Sequence, residues 1–356
     1  SLGDRYVAGD GVAQDYESAT RCYRQAAEQG VAEAQYKLGS ALELGHGIAI
    51  DYTLAAKWYL KASEQGLGPA QFNLAALLER GDSDGPDLSG AEKWYRAAAD
   101  QGRSDGQYAL SRMYRTGVGL DQNINEAARL CRMSAEQGYP AAEASMGDLY
   151  QDGAGVDQDY GEAVKWYQRA ADHGNVGAQF YLGLLKLSGV GSDQDVESAV
   201  KWLTAAADRG LPVAQVNLGM LYELGDHVPQ DFEKAAEWYR KAADLGNPDA
   251  QNSLGTLYAS GRGVNQDGPV AVRWFRMAAE QGDGNAQLNL ALRYARGDDI
   301  GQNLAEAYYW FGCAAAAGNT DGKRHLESAE RIMPPEDVTA GKALMQSRPP
   351  PSPTDT

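Results

Sequence analysis

The sequence predicts an all-α fold, a right-handed α–α superhelix (solenoid) of about nine 36-residue helix-turn-helix repeats. A glycine column from Gly30 to Gly318 and an alanine column from Ala19 to Ala307 recur every 36 residues without an insertion. A period of this length is typical of solenoids, in which each unit packs mainly against its neighbours. All seven tryptophans are also separated by multiples of 36 residues: Trp58, Trp94, Trp166, Trp202, Trp238, Trp274 and Trp310.

The first half of each repeat predicts a helix, which we call helix A. In residues 31–66, Ala34, Leu38, Ala41 and Leu42 are spaced i, i+4, i+7 and i+8, which places them on one helical face. Gly45 is expected to end this helix, because glycine adopts the left-handed terminal conformation without Cβ strain. The spacing predicts a helix of about 12 residues.

The second half predicts another helix, helix B, of about 14 residues that ends at Gly66. Its buried stripe is expected to contain Ala55, Ala62 and either Trp58 or Tyr59. An Asp or Asn precedes helix B in every repeat, as expected for an N-cap whose side chain accepts hydrogen bonds from first-turn N–H groups. This column contains Asp15, Asp51, Asp87, Asn123, Asp159, Asp195, Asp231, Asp267 and Asn303.

The register predicts three regions in the chain. Residues 1–318 form the solenoid, and its first hairpin is expected to be truncated because Leu2 stands 36 residues before Leu38, in mid-helix. We therefore expect the natural protein to begin upstream. Residues 319–347 are expected to form C-terminal capping helices over 320–332 and 338–346. Residues 348–356 form a Pro-rich tail that is expected to be disordered.

The chain is acidic, with a formal net charge of −17. This charge argues against nucleic acid or an anionic membrane surface as a partner, because both are bound through Lys and Arg. No run of 18 apolar residues is present, so we expect no direct membrane insertion. The charge is compatible with a basic protein partner, and equally with acidic loops that keep a repeat array soluble.

No catalytic, metal or cofactor motif is found, and we expect no enzyme activity, no metal and no cofactor. The four histidines occupy different phases of the repeat, without local metal-ligand spacing. The Gly-x-Gly pairs lie between helices rather than after a strand, which excludes a dinucleotide-binding reading. Cys22 and Cys131 occupy Trp and Tyr columns and are interpreted as small buried apolar residues.

The repeat resembles the Sel-one-like repeat, a 36-residue relative of the tetratricopeptide unit. The resemblance rests on the pattern A-x-x-x-L-G-x-x-Y-x-x-G-x-G-V-x-Q-D-x-x-x-A-x-x-W-Y-x-x-A-A-x-x-G, which residues 142–174 and 250–282 follow closely. It implies a non-catalytic scaffold that binds a partner protein on its concave face. The paired cysteine columns that staple each hairpin in some members are absent here.

The resemblance also implies more specific functions. Family members include immunity proteins that neutralise a secreted type VI effector such as a phospholipase, so a basic secreted effector or toxin is one expected partner. The alternative is an envelope, secretion or quality-control adaptor that organises several protein components. Either function would place this chain in the bacterial periplasm or cell envelope.

In tetratricopeptide relatives the concave face is lined by helices A, so we expect the partner there. The exposed columns are those of Glu33, Tyr36, Ser40, Glu43 and Leu44, which vary between units while the core columns barely change. An alternative is that the aromatic column only packs against the preceding hairpin. Since aromatic residues and Arg are the most frequent anchors of interfaces, the candidate partner-binding residues are Tyr36, Phe72, Tyr108, Arg112, Phe180, Met220 and Arg296.

The fourth unit departs from the pattern. Leu130 and Cys131 replace the Trp–Tyr pair, Ser134 replaces an alanine, and Met146 replaces the column leucine. Two interpretations stay open: weaker packing that permits a hinge, or neutral drift.

Overall fold

A computed structural model describes residues 1–82 and 85–351, and in these residues the secondary structure is helical without any strand. The odd-numbered helices up to α19 occupy the helix A position, and the even-numbered helices up to α18 occupy the helix B position. This alternation confirms the predicted all-α repeat solenoid. The helices are α1 Leu2–Ala8, α2 Tyr16–Glu28, α3 Ala32–Leu44, α4 Tyr52–Glu64, α5 Gly68–Arg80, α6 Leu88–Asp100, α7 Ser104–Thr116, α8 Ile124–Glu136, α9 Pro140–Asp152, α10 Tyr160–Asp172, α11 Val176–Ser188, α12 Val196–Asp208, α13 Pro212–Leu224, α14 Phe232–Asp244, α15 Pro248–Ser260, α16 Gly268–Glu280, α17 Gly284–Arg296, α18 Leu304–Ala316, α19 Thr320–Ile332 and α20 Pro335–Ser347.

The chain divides into two compact units. The first unit comprises Ser1–Ala178 with Val190–Ser192, and the second comprises Gln179–Gly189 with Asp193–Thr356. Within each unit, most packed helix pairs are consecutive along the chain, as expected for stacked hairpins.

The helix ends follow the predicted signals. The Asp51 side chain accepts a hydrogen bond from the Leu54 N–H at 2.8 Å and caps α4. Gly45 ends α3 in the left-handed conformation, with φ 74°. Helices α3 and α4 are both 13 residues long, so helix A is one residue longer and helix B one residue shorter than predicted.

Glycine within helix A allows helix B to approach closely. A Cβ atom at Gly39 would lie 2.7 Å from the Tyr59 ring, and one at Gly147 would lie 2.5 Å from the Tyr167 ring. The missing side chain therefore leaves room for the tyrosine ring against the backbone of helix A. Tyr59 and Tyr167 are buried at 0% and 1% exposure.

Of the two candidates for the buried stripe of helix B, the tyrosine column is the buried one. Tyr59 lies inside with Ala55 and Ala62, whereas Trp58 is half-buried. The Lys61 Nζ lies 4.0 Å from the centre of the Trp58 ring, a cation–π contact on the outer side of helix B. Trp166 and Trp310 are the tryptophans of the described residues that are buried.

A buried glutamine in helix A connects three consecutive helices. The Gln71 Nε2 donates a hydrogen bond to the Ser63 carbonyl in α4 at 3.3 Å. The Gln71 Oε1 accepts one from the Gln101 Nε2 after α6 at 2.9 Å. Burial of these amides is tolerated because both ends of the side chain have partners. The same column contains Gln35, Gln107, Glu143, Gln179, Gln215, Gln251 and Gln287, all of them buried.

The substituted residues of the fourth unit are well packed. Leu130, Cys131, Ser134 and Met146 are at most 4% exposed, and the Ser134 Oγ donates a hydrogen bond to the Ser104 carbonyl at 2.7 Å. Burial raises the pKa of the Cys131 thiol to about 12. No loosening is visible among these residues, and the hinge stays an untested interpretation.

The two helices expected after Gly318 are present as α19 and α20, and both pack against α18. Gly341 in α20 lies against the ring of Tyr308, and Met345 lies against Gly312. Residues 352–356 of the tail that is expected to be disordered lie outside the described residues.

Candidate protein-binding surface

All seven candidate residues lie on helices A. Arg112, Met220 and Arg296 are exposed, whereas Tyr36, Phe72, Tyr108 and Phe180 are half-buried. Tyr36, Phe72, Tyr108 and Arg112 belong to the first unit, and Phe180, Met220 and Arg296 belong to the second. The two groups are therefore described separately.

The aromatic column is partly occupied by packing. The rings of Tyr36 and Tyr59 are 5.8 Å apart between centroids, and those of Phe72 and Tyr95 are 5.7 Å apart. In these two cases the partner ring belongs to helix B of the same hairpin, not of the preceding one. The rings of Tyr36 and Phe72 are thus in contact with the core, and only their remaining surface is available to a partner.

Two buried helix-B tyrosines, Tyr59 and Tyr95, present their hydroxyl groups at the helix-A surface. The Tyr59 hydroxyl donates to the Glu43 Oε2 at 2.7 Å, and the Tyr95 hydroxyl donates to the Glu79 Oε2 at 2.7 Å. Burial, followed by smaller effects that include the glutamate charge, raises the pKa of both tyrosines well above the ordinary range. The tyrosines stay protonated and hold the two carboxylates in fixed positions.

These carboxylates bind arginines from the next helix A. The Arg80 guanidinium lies 2.8 Å from the Glu43 Oε1, and the Arg112 guanidinium lies 2.7 Å from the Glu79 Oε1. The candidate residue Arg112 is therefore held by an ion pair, although its side chain is 47% exposed. Glu79 and Arg80 lie in columns that the sequence had singled out, but they were not selected. The signal for the carboxylates is a Glu that stands 16 residues before a helix-B tyrosine.

The candidate surface of the second unit is more apolar. Val213, Met220 and Leu224 are 44%, 47% and 59% exposed on one side of α13. Leu288 and Leu292 of α17 are half-buried, and Arg296 is exposed at the end of the same helix. Exposed apolar side chains that cluster on one face are typical of surfaces that bind another protein.

Three of the four histidines lie in structural contacts. His46 stacks on Tyr16, and His325 stacks on Phe311. The His173 Nδ1 lies 2.7 Å from the buried Glu143. In the part of the chain that the structure describes, no group of three or more His, Cys, Asp or Glu side chains is arranged to hold a metal ion.

The architecture is that of an all-α repeat solenoid, and the comparisons with known proteins assign it to a family. The Sel1 repeat model matches nine consecutive segments: 1–31, 32–67, 68–102, 104–139, 140–175, 176–211, 212–247, 248–283 and 284–319. The chain belongs to the Sel1 repeat family, whose members are generally protein-interaction scaffolds without catalytic activity. Among its described helices, none is both long enough and apolar enough to cross a bilayer.

Solved structures agree with this assignment. A protective antigen of uropathogenic Escherichia coli with an SLR fold is 30% identical, with a TM-score of 0.61, over 97% of this chain and 82% of that one. A Sel1 repeat protein from Oxalobacter formigenes is 33% identical, with a TM-score of 0.67, over 86% of this chain and 89% of that one. An immunity protein from Pseudomonas aeruginosa is 21% identical over 59% of this chain and 80% of that one, and its TM-score of 0.37 carries no functional argument. The comparison with curated proteins gives no significant match.

Proposed function

We propose that this chain is a non-catalytic scaffold that binds a partner protein through the exposed face of its helices A. The observation that carries the proposal is the contrast between the two faces of each helix A. The buried face repeats the same residues, as Leu38 and Leu74 show. The exposed face carries Arg112 in one unit and Met220 in the other, in the same column. A surface that is irregular on a regular framework is suited to one particular partner.

We further propose that the partner is a secreted type VI effector, such as a phospholipase, and that the chain is its immunity protein. This proposal rests on the functions known within the family. The net charge of −17 would favour association with a basic effector through long-range attraction. The E. coli relative is described as a protective antigen, which favours a location in the periplasm or cell envelope.

The alternative proposal is an envelope, secretion or quality-control adaptor that organises several components. The observation that favours it is the different chemistry of the two units. In the first unit Arg112 pairs with Glu79, whereas in the same column of the second unit α13 exposes the apolar Met220. Two such surfaces would suit two different partners.

The experiment is co-expression with a type VI effector phospholipase, the class of toxin proposed here, followed by growth and by a binding titration. Tyr108→Ala with Arg112→Glu should abolish protection and weaken binding by at least about tenfold, because both residues are of the anchoring type. Met220→Glu tests the second unit separately, because that side chain is exposed and its loss opens no cavity.

Arg129→Glu is the matched control, since Arg129 is also an exposed, ion-paired arginine but lies on helix B. Full protection by both surface variants would refute the assignment of the helix-A face. A chain that binds several envelope proteins and gives no protection against the toxin would favour the adaptor.

A further inference from the structure

A groove in the first unit lies between α4 and α6, which are helices B, and not among the candidate residues of helices A. Leu60 and Trp94 line it, and Leu74 and Leu78 of α5 lie beneath them. Its volume is about 790 Å³ when the part open to solvent is included. Leu60 is 38% exposed, so apolar surface is left uncovered here.

The first cause of the groove is the loss of a clasp between successive hairpins. In four of the later repeats an arginine of helix B donates to a tyrosine hydroxyl in the next helix A, as Arg96 does to Tyr114 at 2.8 Å. Leu60 and Leu78 occupy these two positions here. The exchange replaces a polar bridge by two apolar side chains. The other clasps among the described residues are Arg132–Tyr150, Arg240–Tyr258 and Arg276–Tyr294.

The second cause is Gly90, near the start of α6. A Cβ atom at this position would lie 3.0 Å from the Leu78 Cδ1, so a side chain here would cover that leucine. The same column contains Glu126, Glu162, Ser198, Lys234 and Val270 in the following repeats. Three departures from the repeat pattern, Leu60, Leu78 and Gly90, thus coincide at one place.

The rim of the groove is basic although the chain as a whole is acidic. Lys57 and Lys93 line the groove and are exposed, and neither forms an ion pair with any residue in the described ranges. In the same column, Arg129 and Lys165 are paired with Glu126 and Glu162. These two glutamates stand in the same column as Gly90. Because glycine occupies that position here, Lys93 lacks the carboxylate that would otherwise neutralise its charge.

Asp87 is an acidic residue that lines the groove, and its carboxylate is hydrogen-bonded to the backbone. The Asp87 Oδ1 accepts a hydrogen bond from the Gly90 N–H at 2.9 Å, as the N-cap of α6. Its charge is directed at the helix N-terminus, where it is favourable. The two lysines therefore dominate the charge presented to a ligand at the mouth.

We infer that this groove binds a segment of a partner protein in which an aromatic or branched aliphatic residue is flanked by Asp or Glu. The apolar side chain enters between Leu60 and Trp94, and the flanking carboxylates lie against Lys57 and Lys93. The site is on helices B and does not depend on the proposed function of the helix-A face.

The test is selection of a random heptapeptide library on the purified chain, followed by affinity measurement of the enriched peptides. Enriched sequences should carry an apolar residue between acidic residues. Replacement of that apolar residue by Ala should weaken binding by at least about tenfold, given the free energy of burying a side chain of this size. Leu60→Arg with Leu78→Tyr, which restores the clasp of the later repeats, should abolish binding.

The double variant Lys57→Glu with Lys93→Glu changes only exposed side chains. It should weaken the binding of the acidic peptides by at least about tenfold. Lys165→Glu with Lys201→Glu causes the same change in net charge at the same column of other repeats and should leave binding unchanged. Enrichment of basic or purely apolar peptides, no enrichment, or binding that survives both groove variants would overturn the inference.

Discussion

At the residue scale, one repeat replaces the buried glutamine pair by charged groups. Glu143 stands in the glutamine column and is 0% exposed, and the Arg169 guanidinium lies 2.9 Å from its Oε1. Arg169 also donates to the Ala135 carbonyl at 3.0 Å, the role that the glutamine Nε2 has in other repeats. His173 takes the position of the second glutamine, 2.7 Å from the Glu143 Oε2. Three residues have therefore changed together while the connection between helices is retained.

We expect Glu143→Gln to lower the free energy of unfolding by about 1–2 kcal/mol, because it removes the buried charge that pairs with Arg169. Glu143→Gln combined with His173→Gln recreates the pair of the neighbouring repeats and should recover part of this loss. Urea unfolding of both variants measures the difference. Equal destabilisation in the single and double variants would show that the histidine is not part of the connection.

The helix-B tyrosines predict a loss of stability at alkaline pH. Burial raises the pKa of Tyr59 above its ordinary value of 10.0, so in the folded chain the group stays neutral when the unfolded chain begins to ionise. The stabilisation is complete below about pH 10 and decreases as the pH rises further.

Tyr59→Phe should cost about 1 kcal/mol near neutral pH, through loss of the hydrogen bond to Glu43. The difference from the wild-type chain should shrink above about pH 10, where only the wild-type residue ionises on unfolding. Urea midpoints measured at both pH values provide the comparison. A difference that stays constant with pH would contradict the buried, neutral tyrosine.

At the scale of the element, the sequence marks the start of helix B more regularly than the start of helix A. Asp51 and its equivalents mark the start of helix B because a side chain makes the first hydrogen bond. Val31 and Leu67, the N-caps of α3 and α5, make no side-chain hydrogen bond, whereas Asn247 and Asp283 cap α15 and α17. No single residue type therefore marks the start of helix A. The exposed columns of helix A were also predictable from their spacing. The ion pair between Glu79 and Arg112 was not, since it depends on how far one helix A is displaced from the next.

The close approach of paired helices gives a prediction for glycine. Gly39→Ala should lower the free energy of unfolding by about 1–3 kcal/mol, because the added methyl group would overlap the Tyr59 ring. Gly177→Ala is the matched control, since its nearest neighbour would be the Asn175 Oδ1 at 3.5 Å, an ordinary contact. Thermal unfolding of the two variants should differ in this direction. Similar stability of both would show that helix packing adapts more easily than the geometry indicates.

At the scale of the whole molecule, the fold was predictable because it depends on periodic columns, whereas the groove was not. Leu60, Leu78 and Gly90 lie far enough apart in sequence that only packing brings them together. The boundary between Ala178 and Gln179 has no composition signal either, because it falls inside helix α11. The partner is determined by residues outside the repeat consensus, so repetition alone does not reveal it.

Stability in a repeat protein is approximately a sum of units and their interfaces, which predicts local effects of mutation. Gly39→Ala should accelerate amide hydrogen exchange in α3, α4 and their neighbouring helices, and leave α15 and α16 in the second unit unchanged. Gly219→Ala, where a Cβ would lie 2.5 Å from the Tyr239 ring, should produce the converse pattern. Uniform acceleration along the whole chain by either variant would show that unfolding is globally cooperative.

The glutamine connection has an evolutionary consequence. Gln71 bonds only to the hairpin before it and to the helix that follows it, through groups that recur at the same positions in other hairpins. Duplication or deletion of one complete 36-residue stretch of the gene would therefore recreate these bonds at the new junction. Lineages could lengthen or shorten such a protein in whole steps, and the reach of its surface could change faster than its core.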